Sequence, residues 1–337
     1  MPVKIKDVAK KAGVSVTSVS RVLNGGKYVR DEIRERVLKT VEEMGYTPSS
    51  IARSLVLRKT NMIGVIIPDL TSSFHSTILS SIEEVASRNS YSILVSNIAE
   101  DIEKEKMYLN DFKQMRVSGI IVMHEKVNPE IIQIFNTMEM PIVFSSVKPK
   151  GVNNFTSIVI NNTKASYDAT KYLIDLGHRQ IAFIGGDMND ITSGQERYNG
   201  FMSAMEDNGI KVEENFVKFG DYKVNDGYAK MNEILKKKPY PTAVFAASDD
   251  MAVGAMNAIF DHGLRVPDDI SVMGFDGSNF TEFIRPKLTS MEQPIRELGK
   301  LSVELLIRQI NNQDRFLDEV IVSHKLVVRD SCRAITK

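Results

Sequence analysis

From Met62 onward the chain alternates short β-rich runs with amphipathic stretches, and this alternation constrains the fold more than any other feature of the sequence. The β-rich runs include Ile63 to Pro68, Ser92 to Ser96, Gly119 to Met123, Ile142 to Ser145, Ile181 to Gly185, Ala243 to Ala247 and Val272 to Phe275. Between them apolar residues recur at helical spacing over Ile78 to Arg88, Glu103 to Arg116, Asn161 to Leu176, Gln195 to Asn208 and Met251 to His262. Strand and helix in strict alternation predict parallel, doubly wound sheets, whose ligands sit at the carboxyl ends of the strands. The pattern halts near Val159 and restarts at Ile181, which predicts two subdomains with a cleft between them.

The first sixty residues follow a different rule. Ile5, Val8, Ala9 and Ala12 recur at helical spacing, and Gly13 supplies the backbone freedom of a tight turn. Ser15 can cap a second helix with Val16, Val19, Val22 and Leu23 facing inward, stopped by Asn24-Gly25-Gly26. A third helix is expected from about Arg30 to Met44, burying Val29, Ile33, Val37, Val41 and Met44. Helix, short glycine turn and second short helix make a helix-turn-helix arrangement. The second helix leaves Thr17, Ser18, Ser20 and Arg21 off its core face. Arginine can grip guanine with two hydrogen bonds in a major groove, and small hydroxyls meet bases or phosphates. The polar outer face of an ordinary three-helix unit has the same composition.

Charge separates the two parts. The net charge of zero conceals 13 Lys or Arg against 6 Asp or Glu in residues 1 to 60, leaving 30 against 37 in the rest. A basic head on an acidic body suits a polyanion partner, because Lys and Arg release counterions from phosphates. A solvated basic face without a partner would carry the same charge. The chain opens directly into the amphipathic pattern, without the apolar stretch of a secretory signal. No apolar run approaches the ~20 residues that span a bilayer. Cys332, the single cysteine, has no partner for an internal disulfide, and a cytoplasmic location is expected.

The segment Ile5-Lys6-Asp7-Val8-Ala9-Lys10-Lys11-Ala12-Gly13-Val14-Ser15-Val16-Thr17-Ser18-Val19-Ser20-Arg21-Val22-Leu23-Asn24 resembles the signature of the lactose-repressor/galactose-repressor (LacI/GalR) family. That resemblance puts Val16, Thr17 and Arg21 at base-reading positions, with Ser20 and Asn24 near the DNA backbone. It identifies Ser49 to Leu55 with the family's hinge helix. There Ala52 and Leu55 meet the minor groove, and Leu55 is the apolar wedge that kinks a base step. Two turns of helix are not stable alone in water, so this segment should fold on DNA. One departure is Arg30, where the family usually has a serine N-cap; Asp31 and Glu32 still favour the helix start electrostatically.

The likeness continues through Pro68-Asp69-Leu70-Thr71-Ser72-Ser73-Phe74, Gly177-His178-Arg179-Gln180-Ile181, Ser248-Asp249-Asp250-Met251 and Gly274-Phe275-Asp276, each at a strand end. The fold it implies is an all-α three-helix head (1–47), a hinge helix and linker (48–60) and an α/β periplasmic-binding-protein-like core (61–337). The core would hold two doubly wound parallel-sheet subdomains, about 61–160 with 293–323 and about 161–292 with 324–337. By resemblance Arg197 and Asp276 hold the effector, a donor fork and an acceptor suited to vicinal hydroxyls. Ser73, Phe74, Ser146, Tyr222, Ser248 and Gln293 complete the expected pocket, with Phe74 and Tyr222 able to stack on a ring. Sugar-sensing relatives carry an aspartate where this chain reads Ser145-Ser146. Ile191 replaces an arginine of the purine-sensing branch, which disfavours a purine corepressor. Arg296-Glu297 and Glu304 replace the residues that dock a phosphorylated carrier protein in the catabolite-control branch.

An operator-binding homodimer switched by a sugar-like small molecule is therefore expected, without cofactor or metal. The chain stops at Lys337 without a trailing heptad repeat, so a dimer and not a tetramer is the expected state. An enzyme is disfavoured because His75, His124, His178, His262 and His324 show no metal-ligand spacing and no nucleophile motif appears. Gly185-Gly186 lacks the lysine and the remaining glycines of a phosphate loop. A sugar-binding protein without DNA function would share the core, but not the basic head.

Overall fold

The computed structural model describes residues 3–23, 29–46, 60–99, 101–124, 128–312 and 319–335. The backbone separates into two compact units, Met1–Asn61 and Met62–Lys337. The first contains α1 (Ile5–Ala12), α2 (Val16–Leu23) and α3 (Asp31–Glu43), closed on Val8, Ala9, Ala12, Val19, Val22 and Val37. Gly13 takes φ 65°, and the amides around it return to the carbonyls of Ala9 and Lys10. The Ser15 hydroxyl accepts the Ser18 amide at 3.1 Å, so the short turn is capped on both sides. α3 begins without a side-chain cap from Arg30, and Asp31 and Glu32 occupy its first turn. The hinge expected over residues 48–60 lies, as far as residue 59, outside the described residues.

The second unit holds two six-stranded sheets. One has the order β11-β5-β4-β3-β1-β2, from β1 (Met62–Ile67), β2 (Ser92–Asn97), β3 (Gly119–Val122), β4 (Ile142–Ser145), β5 (Phe155–Ile160) and β11 (Glu319–Val322). Its pairings are all parallel. It packs with α4 (Ser73–Arg88), α5 (Ile102–Met115), α6 (Pro129–Asn136) and α11 (Ile295–Ile310). The other has the order β12-β10-β9-β8-β6-β7, from β6 (Ile181–Gly185), β7 (Val217–Phe219), β8 (Ala243–Ala246), β9 (Ser271–Asp276), β10 (Thr289–Glu292) and β12 (Lys325–Val327). It packs with α7 (Asn162–Asp175), α8 (Glu196–Asp207), α9 (Val224–Leu235) and α10 (Asp249–Asp261). β3, β4, β6, β8 and β9 are buried along their whole length, as strands covered by helices on both faces must be.

The second sheet departs from the all-parallel expectation at its edge. β12 pairs antiparallel with β10, because the chain returns to this sheet from β11 through only Ser323 and His324. The chain thus passes between the sheets after β5, after β10 and after β11. Three such strands of backbone are the arrangement in which two subdomains close around a ligand by small dihedral changes.

Glycines permit the closest helix contacts. A Cβ on Gly254 would stand 2.0 Å from the Val224 carbonyl oxygen and 2.5 Å from the Tyr228 amide, so α9 and α10 meet backbone to backbone. Gly254→Ala is expected to destabilise the protein by about 1–3 kcal/mol, the ordinary penalty of overpacking. Gly254 has an ordinary φ, so urea denaturation would read this collision without backbone strain; an unchanged midpoint would show that the helices separate freely.

Candidate functional site

The packing of the small head decides which side chains of α2 face outward. Val19 and Val22 are buried, while Thr17 and Arg21 are exposed and Ser20 is half-buried. Val16, placed on the inward face from its spacing, is instead 39% exposed. It begins the helix, and neither α1 nor α3 covers that first turn. An apolar side chain, a hydroxyl and a guanidinium therefore share one uncovered face, with Lys11 and Glu43 paired at 2.8 Å away from it. Asn24, Ala52 and Leu55 lie outside the described residues.

In the second unit the carboxyl ends of the strands converge on a cavity of about 850 Å³. Arg197, in the first turn of α8, is buried there. Its Nε donates to Asn162 Oδ1 at 2.9 Å, and its Nη1 donates to the Ala247 carbonyl at 2.6 Å. The same Nη1 stands 3.6 Å from Asp276 Oδ1, and the guanidinium lies 3.9 Å over the Phe275 ring. Asp276 ends β9 and accepts the Gln293 side-chain amide at 2.7 Å. Burial raises the Asp276 carboxyl to about 6, against the opposing pull of Arg197. Asp249, behind it, accepts Ser278 N at 2.7 Å and Ser290 Oγ at 2.6 Å; burial, with Asp276 nearby, holds its pKa well above the usual carboxylate range.

Of the pocket residues expected from sequence, Phe74, Ser146, Arg197, Tyr222, Ser248 and Asp276 line the cavity. Three of them, Ser146, Tyr222 and Asp276, have φ values of 69°, 58° and 111°. Such backbone strain in residues other than glycine collects where a side chain is aimed by function. Gly186 makes room for Tyr222: a Cβ there would fall 1.8 Å from the tyrosine Cζ. Ser248 also caps α10, accepting the Met251 amide at 3.2 Å. Ser73 and Gln293 are not on the lining. The Ser73 hydroxyl donates to Ser278 Oγ at 3.3 Å, tying α4 of one subdomain to the loop after β9 of the other, and Gln293 orients Asp276 from behind.

The cavity also gathers residues that sequence reasoning passed over. Asp69, His75, Asn97, Glu105 and His124 form the wall built on the first sheet, and Asp190, Asp221 and Asp250 add to the opposite side. Asp69 and Asp250 stand inside motifs already singled out, so their strand-end position was a usable signal. Glu105 offered none, since a glutamate in an amphipathic helix ordinarily faces water. His124 Nε2 and Glu105 Oε1 are 2.9 Å apart and both side chains are buried. Burial holds His75 down at about 4, against the Asp69 carboxylate, with His124 pushing the same way as burial.

Two family models match this chain: bacterial regulatory proteins of the lacI family over residues 4–49, and a periplasmic binding protein-like domain over residues 170–332. Catabolite control protein A of Priestia megaterium is 34% identical over 333 residues, covering 99% of this chain and 100% of its own. The transcriptional repressor PurR of Pasteurella multocida is 37% identical over 332 residues, 98% of each chain. Among solved structures, the lac repressor dimer bound to operator and the anti-inducer ONPF superposes with a TM-score of 0.89 at 30% identity, covering 99% of this chain and 100% of that one. No helix among the described residues is long and apolar enough to cross a membrane. Joined on one chain, the helix-turn-helix head and the two-sheet cleft, with such similarity along nearly the whole length, make this protein a member of the lacI family and a DNA-binding regulator of transcription.

Proposed function

We propose that the protein is a cytoplasmic repressor that reads a pseudo-palindromic operator as a homodimer, is switched by a sugar-like molecule bound in the cleft, and has no catalytic activity of its own. The observation that carries this reading is the Arg197–Asp276 pair, buried and facing a cavity in a chain whose other unit is a helix-turn-helix. A donor fork beside an acceptor matches two neighbouring hydroxyls of one ligand. Two-fold symmetry of the dimer would be mirrored in the operator.

Switching follows from the topology. Besides the three crossing segments, the subdomains are joined by the Ser73–Ser278 hydrogen bond and by the Lys148 amide donating to Thr192 Oγ1 at 3.1 Å. A ligand held by Arg197 and Asp276 on one wall and by Phe74 and Ser146 on the other draws the walls together and changes the spacing of the paired hinges. Effector and operator affinities are then reciprocally linked. A phosphorylated protein partner of the catabolite-control kind is disfavoured, since Glu297 and Glu304 are exposed on α11 and would repel a phosphate.

Arg197→Ala is expected to abolish the effect of any effector on operator affinity, measured by fluorescence anisotropy of labelled operator; an unchanged response would remove Arg197 from the site. Arg21→Ala should weaken operator binding by about 1–3 kcal/mol and relax preference at one base pair in each half-site. Equal losses on specific and random duplexes would make Arg21 a backbone contact. Effector affinity should also fall as pH drops through about 6, where Asp276 loses the charge that accepts the ligand's hydroxyl. The sign for folding is opposite: a raised carboxyl pKa stabilises the unliganded protein below its ordinary value and withdraws that stability as pH rises through about 6. Titration calorimetry on either side of that pH checks the first sign and urea denaturation of the unliganded protein checks the second, each with Asp276→Asn as the variant that cannot ionise.

A further inference from the structure

The wall of the cleft opposite Arg197 carries polar atoms that the fold leaves unused. His75 Nδ1 and Asn97 Oδ1 are buried, and neither has a hydrogen-bond partner among the described residues. Folded proteins rarely leave buried polar atoms in that condition unless a ligand or water completes them. Beside them the Glu105–His124 pair is buried in the same wall, 2.9 Å apart, although a charged helix residue such as Glu105 ordinarily faces solvent. These groups come from α4, the end of β2, α5 and the end of β3, so the first sheet's topology brings them to one place.

The charge of the cavity restricts what can meet them. Among the described residues six carboxylates line it, from Asp69, Glu105, Asp190, Asp221, Asp250 and Asp276, against Arg197 and Lys223. Through Nε and Nη1 the guanidinium of Arg197 already meets Asn162, Ala247 and Asp276, so part of its charge is balanced within the protein. A phosphate dianion, which only accepts hydrogen bonds, would be repelled by the carboxylates and could not satisfy the Asn97 carbonyl oxygen. A hydroxyl both donates and accepts, so it can satisfy Asn97 and either tautomer of His75.

Resting on the effector reading above, we propose that this wall is a second reading station, where His75, Asn97 and the Glu105–His124 pair receive hydroxyls of an uncharged, polyhydroxylated effector that spans the cleft. The two stations divide recognition: Arg197 and Asp276 hold one end of the ligand, and the first-sheet wall selects the other and excludes phosphorylated analogues.

The test is titration calorimetry of the full-length protein with neutral mono- and disaccharides and with phosphate monoesters of the same sugars. At least one neutral saccharide is expected to bind, with its phosphate ester about tenfold weaker or more. Asn97→Ala and His75→Ala should each weaken the neutral saccharide by about tenfold, the loss of one buried hydrogen bond to a ligand. Asn97→Ser and His75→Gln serve if an alanine variant fails to fold, and thermal melting of each variant establishes folding. Unchanged affinity in the wall variants, with binding lost in Arg197→Ala, would overturn the second station and leave the effector reading standing. Saccharide binding that survives Arg197→Ala would remove that reading as well. Tighter binding of a phosphate ester, or no binding by any neutral saccharide, would also overturn the inference.

Discussion

A guanidinium cannot be buried without groups to replace its water, and much of the second unit's design follows from meeting that demand for Arg197. Asn162 comes from the start of α7, the Ala247 carbonyl from the end of β8, and Asp276 and the Phe275 ring from the end of β9. Each partner is therefore fixed by a different element, and the sheet must have the order it has for all of them to meet. Asp276 in turn is held by Gln293, which lies where the chain leaves for the other subdomain. The cleft is thereby connected to one of the three crossings between the two sheets.

The head works under the opposite condition. Its apolar core is small, built among the described residues on six buried side chains, and α2 is only eight residues long. Such a unit holds its shape through its capped turn and three-way packing, and it leaves Val16, Thr17 and Arg21 exposed, as the proposed reading of DNA requires. Affinity for a polyanion comes from its excess of basic residues, while sequence preference must come from those few side chains.

Much of this was legible in the sequence because it is local. The strand and helix runs of the second unit, the Gly13 turn and the Ser15 cap depend on periodicity and on residues within one turn of each other. Short edge strands were not legible: β7 and β12 have three residues each and acquire their conformation from a neighbouring strand. Val16 is exposed despite its inward spacing, because spacing gives the face of a helix and not where its neighbours end. Motif resemblance points to Arg197 and Asp276, which line the cavity, whereas Ser73 and Gln293, named with them, lie off its lining. His75, Asn97, Glu105 and His124 are ordinary residues in ordinary contexts along the chain, and only the order of the first sheet assembles them into one wall. Long-range assembly is the part that periodicity does not encode.

In the proposed function one chain couples a sequence-reading head to a small-molecule cleft. Selection of randomised duplex DNA by the purified protein, followed by sequencing, with and without a panel of neutral sugars and their phosphate esters, tests it most directly. Enrichment of a two-fold symmetric site whose recovery changes with a neutral sugar is the expected result. Salt-sensitive binding without sequence preference, unaffected by any compound, would contradict it.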